Sequence, residues 1–319
     1  MQLKSTIKSI LLSTAVIGVV SGQQLHAQGA CYDLEGCSDY SNFGYNSSTA
    51  ATLEYDNYIS AFHSSAVRDI DGVIKVWGEM TQADGRSHQL MPTPINPGNY
   101  PGLTGKPLKI AMASGGRLTA QYVLLTDDNK LWSWGRSGSL LDHSLTMNTY
   151  ELTEISEGGV HYYDSIAAFQ ELSIGLPLGV SASDVKMMFA VYGSLLLTTC
   201  SGDVHALVDY WGNVGNGGTS ATNVWHKVQK SAAYGGGVLT GVVAARGTES
   251  GFIALDNAGN LWTWGYRTYD GIGAVATRNA AVQMTPPTGA TGSIKMIGMT
   301  TGTSDVSYYV LYENGNLYA

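Results

Sequence analysis

The chain reads as an all-β repeat protein, and three observations carry that reading. A turn-and-tryptophan motif returns at a nearly constant step. An apolar run of strand length precedes each copy. Forty Gly and a charged fraction of 13 %, about half the usual value, describe many tight turns joining short, largely uncharged strands.

The motif copies are Asp71-Gly72-Val-Ile-Lys-Val-Trp77-Gly78, Asp128-Asn129-Lys-Leu-Trp-Ser-Trp134-Gly135 and Ala258-Gly259-Asn-Leu-Trp-Thr-Trp264-Gly265. A stretched copy runs from Ser201-Gly202 to Trp211-Gly212, and a fifth begins at Asn314-Gly315-Asn-Leu-Tyr-Ala319. Anchored on Gly72, Asn129, Gly202, Gly259 and Gly315, the steps are 57, 73, 57 and 56 residues. The long step implies an insertion of about sixteen residues in the second unit, within about 136–184. Asp-Gly, Asn-Gly and Asp-Asn supply the positive φ that tight hairpin turns need, so the strands flanking each anchor pair antiparallel. Further upstream each unit holds another apolar run, such as Leu53–Ser60, Leu108–Ala113 and Val185–Val191. With a fourth, less obvious strand, every unit makes a small twisted antiparallel sheet.

Side chains alternate along a strand. Trp132 and Trp134 therefore share one face and Leu131 takes the other, as do Trp262, Trp264 and Leu261. A lone four-stranded sheet apolar on both faces is not stable in water. Radial stacking of such sheets buries both faces, which is a β-propeller. The tryptophans are then blade-to-blade core rather than ligand platforms.

The stretches Phe62-His63-Ser64-Ser-Ala-Val-Arg-Asp-Ile-Asp71-Gly72-Val-Ile-Lys-Val-Trp77-Gly78 and Ser250-Gly-Phe-Ile-Ala-Leu-Asp-Asn-Ala-Gly259-Asn-Leu-Trp-Thr-Trp264-Gly265 resemble the regulator of chromosome condensation repeat. The resemblance covers residues 53–319 and is specific in units one, two and four. It implies four-stranded blades in a seven-bladed ring, of which this chain carries about four and the start of a fifth, an incomplete propeller cut short at its C-terminal side. The family's Gly-Gln-Leu-Gly stretch after Trp-Gly is approximated only by Asn213-Val-Gly-Asn-Gly and Tyr269-Asp-Gly-Ile-Gly.

Outside the repeats, Lys4 and Lys8 precede an apolar run from Ile10 to Val20 that is too short to span a bilayer and fits a signal peptide. Cleavage after Gly22 or Ala27 suits its polar end, and Ala27 is taken as the boundary. That gives a signal peptide at 1–27, a leader at 28–52 and the propeller at 53–319. The mature chain carries 15 basic and 25 acidic side chains, a net charge of −10. With no run of Lys or Arg, it repels phosphate backbones, which argues against nucleic acid as a partner. Cys31 and Cys37, close together in an exported leader, are a candidate disulfide. Cys200 reads as a small buried hydrophobe.

No catalytic, cofactor or metal site emerges. His63, His88, His143, His161, His205 and His226 show no metal-ligand spacing. Glu54/Asp56, Asp69/Asp71 and Asp127/Asp128 are the carboxylate pairs, and the last two sit in turns where Asp caps its own backbone. The insertion, with His161, Tyr162, Tyr163, Asp164 and Phe169, is the candidate partner-binding segment, since long loops on rigid scaffolds carry recognition. The reading is a secreted or cell-surface propeller, monomeric when complete, that binds a protein or surface glycan without catalysis. Two alternatives stand beside it: a carbohydrate-active hydrolase or lyase on a propeller, and a section of a large surface adhesin.

Overall fold

The computed structural model describes residues 58–61, 63–69, 71–114, 120–136, 148–151, 163–191, 194–208, 215–218, 222–248, 251–271, 275–301 and 306–319. The signal, the leader, Cys31, Cys37, Glu54 and Asp56 lie outside them.

The protein is a β-propeller of antiparallel blades, and the described residues form five of them, the fifth with three strands. The first blade holds β1 (Tyr58–Ala61), β2 (Ser64–Arg68), β3 (Ile74–Gly78) and β4 (Gln89–Pro94). The second holds β5 (Pro107–Ser114), β6 (Ala120–Thr126), β7 (Leu131–Arg136), β8 (Asn148–Glu151) and β9 (Tyr163–Glu171), in spatial order β5-β6-β7-β9-β8. The third holds β10 (Val185–Val191), β11 (Ser194–Thr199), β12 (Val204–Val208) and β13 (Thr222–Lys227). The fourth holds β14 (Val242–Thr248), β15 (Gly251–Asp256), β16 (Leu261–Thr268) and β17 (Ala276–Gln283), and the fifth β18 (Ile294–Thr301), β19 (Val306–Tyr312) and β20 (Leu317–Tyr318). The first strands β1, β5, β10, β14 and β18 lie side by side in chain order, so they are the inner strands.

The hairpin turn is the same object five times. The anchors Gly72, Asn129, Gly202, Gly259 and Gly315 all have φ between 67° and 87°. Each anchor N–H donates to the carbonyl three residues earlier, on Asp69, Thr126, Thr199, Asp256 and Tyr312, at 2.9–3.2 Å. The N–H groups of those same residues donate to Val73, Lys130, Asp203, Asn260 and Asn316 across the hairpin at 2.9–3.0 Å. This is a type I turn closed by a left-handed residue, a common three-residue hairpin loop.

The glycine of Trp-Gly has a different reason. Gly78, Gly135 and Gly265 have φ of 110°, 112° and 114°. A Cβ on Gly78 would stand 2.2 Å from the His63 carbonyl oxygen, and one on Gly135 2.4 Å from that of Ala120. The strand crosses its neighbour's entry point with no room for a side chain.

Four apolar layers separate the five blades, and all have one polarity. Trp132 and Trp134 pack back onto Ala66, Ile74 and Val76 of the first blade. Leu195, Leu197 and Leu207 pack back onto Val123, Leu125 and Leu131. Trp262 and Trp264 meet Leu196, Val204 and Ala206, while Tyr308, Val310 and Tyr318 meet Ile253, Leu255 and Leu261. The third and fifth residues after Asn129 and Gly259, the fifth after Gly202 and the third after Gly315 thus face the preceding blade, and the second residues after Gly72, Asn129, Gly202 and Gly259 face the following one, as the alternation predicts. The third unit departs from the stretched reading. Its strand β12 ends at Val208, and Leu207 fills the position that tryptophan holds elsewhere. Trp211 lies outside the described residues.

Candidate interaction surface

Antiparallel order puts all strand 2–3 turns at one end of the blades. The links between strands 1 and 2, and between strands 3 and 4, emerge at the opposite end beside the Trp-Gly pairs. In the second and fourth blades strand pairing continues past that end. Ile166 of β9 pairs with Arg136, just after Gly135, and also with Asn148 of β8. From there β8 and β9 run on as a separate ladder to Glu151 and Tyr163. That hairpin rises roughly 10 Å beyond the sheet, at about 3.4 Å per residue. It lies within the segment where the repeat step lengthens. Of the candidate binding residues, Tyr163 stands at its upper end, while His161 and Tyr162 lie outside the described residues. Phe169 belongs to the core: its ring stacks on Trp132 at 5.0 Å and lies 5.2 Å from Tyr100.

In the fourth blade β16 continues past Gly265 to Thr268, which pairs with Ala276. Arg278 holds this extension, donating to the Thr268 carbonyl, to Thr268 Oγ1 at 3.0 Å and to Asp270 at 2.7 Å. Tyr266, Tyr269 and Val275 are exposed along it. The repeat pattern gave no hint of this second raised hairpin; the only local signal was the tyrosine pair just after Trp264-Gly265.

Several polar groups singled out in the sequence are tied up within the blades. Asp69 Oδ1 accepts the N–H groups of Asp71 and Val73, and its Oδ2 meets Lys75 at 2.8 Å. The hydrogen bond from Lys75 holds its carboxyl below the usual range. Asp127 accepts Lys106 N–H, and Asp128 accepts the hydroxyls of Thr104 and Thr126. His63 sits in the β1–β2 turn with φ 63° and bonds Glu79 through Nδ1 at 2.8 Å. Beside it Tyr122 of the second blade donates to Ser64 Oγ at 2.7 Å, and burial raises its hydroxyl pKa well above the ordinary tyrosine value. Burial lowers the pKa of His205. Cys200, read as buried, is exposed at the tip of its hairpin and disulfide-bonded. Among the described residues no cluster of three His, Cys, Asp or Glu is arranged to hold a metal, and no helix is long and apolar enough to cross a membrane.

Loops after Trp-Gly reach forward into the next blade. Phe169 N–H donates to Ala83 at 2.7 Å, and Gly85 packs where a Cβ would stand 2.0 Å from the Ala167 carbonyl. Gly217 N–H donates to Asn279 at 2.7 Å. The Gln82-Ala-Asp-Gly85 stretch thus latches the first blade to the second, although it is not one of the two stretches that approximate the family's Gly-Gln-Leu-Gly.

No protein-family model matches the chain, and no curated protein matches it. Among solved structures, human WBSCR16 and Prp20p from Saccharomyces cerevisiae each align over 77 % of this chain at 18 % identity and a TM-score of 0.48. Yeast RCC1 (Prp20), bound to Kap60, aligns over 77 % of this chain at 18 % identity and a TM-score of 0.45. The chain spans 57 % and 55 % of the lengths of WBSCR16 and Prp20p.

Proposed function

We propose that the protein is an exported or cell-surface propeller module that binds a protein partner, without catalysis, at the Trp-Gly end of its blades. The observation that carries this is the pair of raised hairpins, β8–β9 and β16–β17, standing on sheets fixed by two-sided packing. Rigid blades beneath keep the ordering cost of binding small, and Tyr266, Tyr269 and Val275 offer the aromatic and aliphatic area that anchors interfaces. The N-terminal signal pattern and the disulfide at Cys200 support export, since such bonds persist in oxidising compartments. Within this reading the five blades belong to a seven-bladed ring.

A pull-down from the extracellular fraction tests it, with wild type against Tyr162→Ala/Tyr163→Ala and Tyr266→Ala/Tyr269→Ala variants. A partner recovered by wild type and reduced at least about tenfold by either pair supports the site. Equal recovery by all forms, or no specific recovery by wild type, overturns it.

A further inference from the structure

The five inner strands carry Lys109, Lys186, Arg246 and Lys295 and not one Asp or Glu, in a chain of net charge −8. The three lysines lie near the strand entries, at the end of the blades where the strand 2–3 turns close. Lys186 and Lys295 are the extra residues of matching β-bulges in β10 and β18, and Lys109 follows the same bulge in β5. Successive inner strands are neighbours, so these cations share one inner rim of the propeller. Carboxylates of the nearby turns are committed elsewhere. Asp184 accepts the N–H and hydroxyl of Ser181 at 2.9 and 2.6 Å, Asp203 meets Lys227, and Asp69 meets Lys75.

Cys200 stands at this rim. Its N–H donates to the Asp184 carbonyl at 2.9 Å, and Thr199 before it pairs with Val185, which places it at the entry of β10. It is disulfide-bonded, and the other cysteines of the chain are Cys31 and Cys37. The stretch 28–57 that holds those two contains Asp33, Glu35, Asp39, Glu54 and Asp56 and no Lys, Arg or His. It enters β1 at Tyr58, which pairs with Val67, and so arrives at the same end of the blades. We infer that a leader cysteine is bonded to Cys200 and that the acidic stretch from there to Tyr58 docks across the lysines of the inner rim. Both ends of the stretch are then fixed at one end of the propeller, on the first and third blades, with Lys109 of the second between them. Tyr58 lies 21 residues after Cys37 and 27 after Cys31. Even the shorter span reaches roughly 65 Å when extended, enough to cross the rim without strain. The covalent anchor raises the local concentration of the leader, so ion pairs that are individually weak act together. A long-range bond thus replaces the pairing of Cys31 with Cys37 that their spacing suggested.

The test uses the full chain produced in an oxidising compartment. Peptide mapping without reduction should recover Cys200 joined to Cys31 or Cys37. A Cys31–Cys37 peptide, a Cys200 bond between two copies or a free Cys200 thiol overturns the inference. Zero-length carbodiimide coupling should then join a leader carboxylate to Lys109, Lys186 or Lys295 within one polypeptide. Coupling only to other lysines, only between copies, or not at all overturns the docking. The variant Asp39→Asn/Glu54→Gln/Asp56→Asn leaves every blade strand intact and gives a second reading. Acetylation of Lys109, Lys186 and Lys295 should quicken at least about threefold, the scale of a few surface ion pairs, while Lys75 and Lys130 keep their rates. Unchanged rates at the three rim lysines contradict it. Partner capture at the Trp-Gly end is measured separately, so either reading can fail without the other.

Discussion

The indole Nε1 of Trp262 donates to Oδ2 of Asp256 at 2.9 Å, from the third strand of its blade back to the residue that opens its own turn. Asp256 Oδ1 meanwhile accepts the N–H groups of Ala258 and Asn260. One carboxylate therefore holds both the turn and the ring that seals the neighbouring blade. In the second blade Thr126 does the same for Trp132 at 3.2 Å. Asp256→Ala is expected to cost about 3 kcal/mol, because it orphans buried donors of a charge-assisted network. Asp256→Thr should cost clearly less. Chemical denaturation of both variants checks the order.

The two kinds of repeat glycine should respond differently to substitution. Gly259 has φ 84° and open space around its missing Cβ, and Asn129 occupies the same place in the second unit. Gly259→Asn is expected to cost less than about 1 kcal/mol. Gly135→Asn forces a side chain against the Ala120 carbonyl and should cost about 3 kcal/mol or more. Thermal unfolding of the pair separates a turn requirement from a packing one.

Across the outer strands one clasp recurs with altered chemistry. Lys130 meets Glu171 at 2.9 Å in the second blade, and Asp203 meets Lys227 at 2.7 Å in the third, with the signs exchanged. In the fourth, Gln283 donates to Asn260 at 2.9 Å. Asp203→Lys should destabilise by about 0.5–1 kcal/mol, with the added swap Lys227→Asp restoring most of it. The loss should shrink at 1 M salt.

Acid should loosen the layer between the second and third blades. His205 occupies the position of Trp132 and Trp262, buried, with Lys227, Asp203 and His226 around it. Burial is the main cause of its lowered pKa, and Lys227 adds to it. The unfolded chain then takes up this proton first, so stability falls as pH drops below about 6.5 and is flat above. His205→Leu should remove that part of the slope between pH 7 and 5. The lowered carboxyls of Asp69, Asp128 and Asp184 act in a separate, more acidic window.

Much of this fold was legible because its instructions are local. A left-handed residue at each anchor and alternation along each strand are properties of a few neighbouring residues. They gave the hairpins and the facing of Trp132, Trp134 and Leu131 directly. The third unit misled for a physical reason: Leu207 fills the space of a tryptophan, so the search for Trp-Gly ran on to Trp211. Phe169 was read as a loop residue because nothing local reveals that β9 returns it to Trp132. The forward latch of Gly85 against Ala167 joins residues of different blades, which spacing within one unit does not encode. For the surface, the lengthened step marked the second blade, while the continuation of β16 past Gly265 left only Tyr266 and Tyr269 as a trace.

Sealing of each blade by the next is tested most directly by a double-mutant cycle across one layer. Thr263 of the fourth blade and Tyr308 of the fifth, 45 residues apart in the chain, share a buried hydrogen bond of 2.8 Å. Thr263→Val, Tyr308→Phe and the double variant should show a coupling of about 1 kcal/mol. Strict additivity, with each single change costing the same whether or not the other is present, would contradict the stacked arrangement.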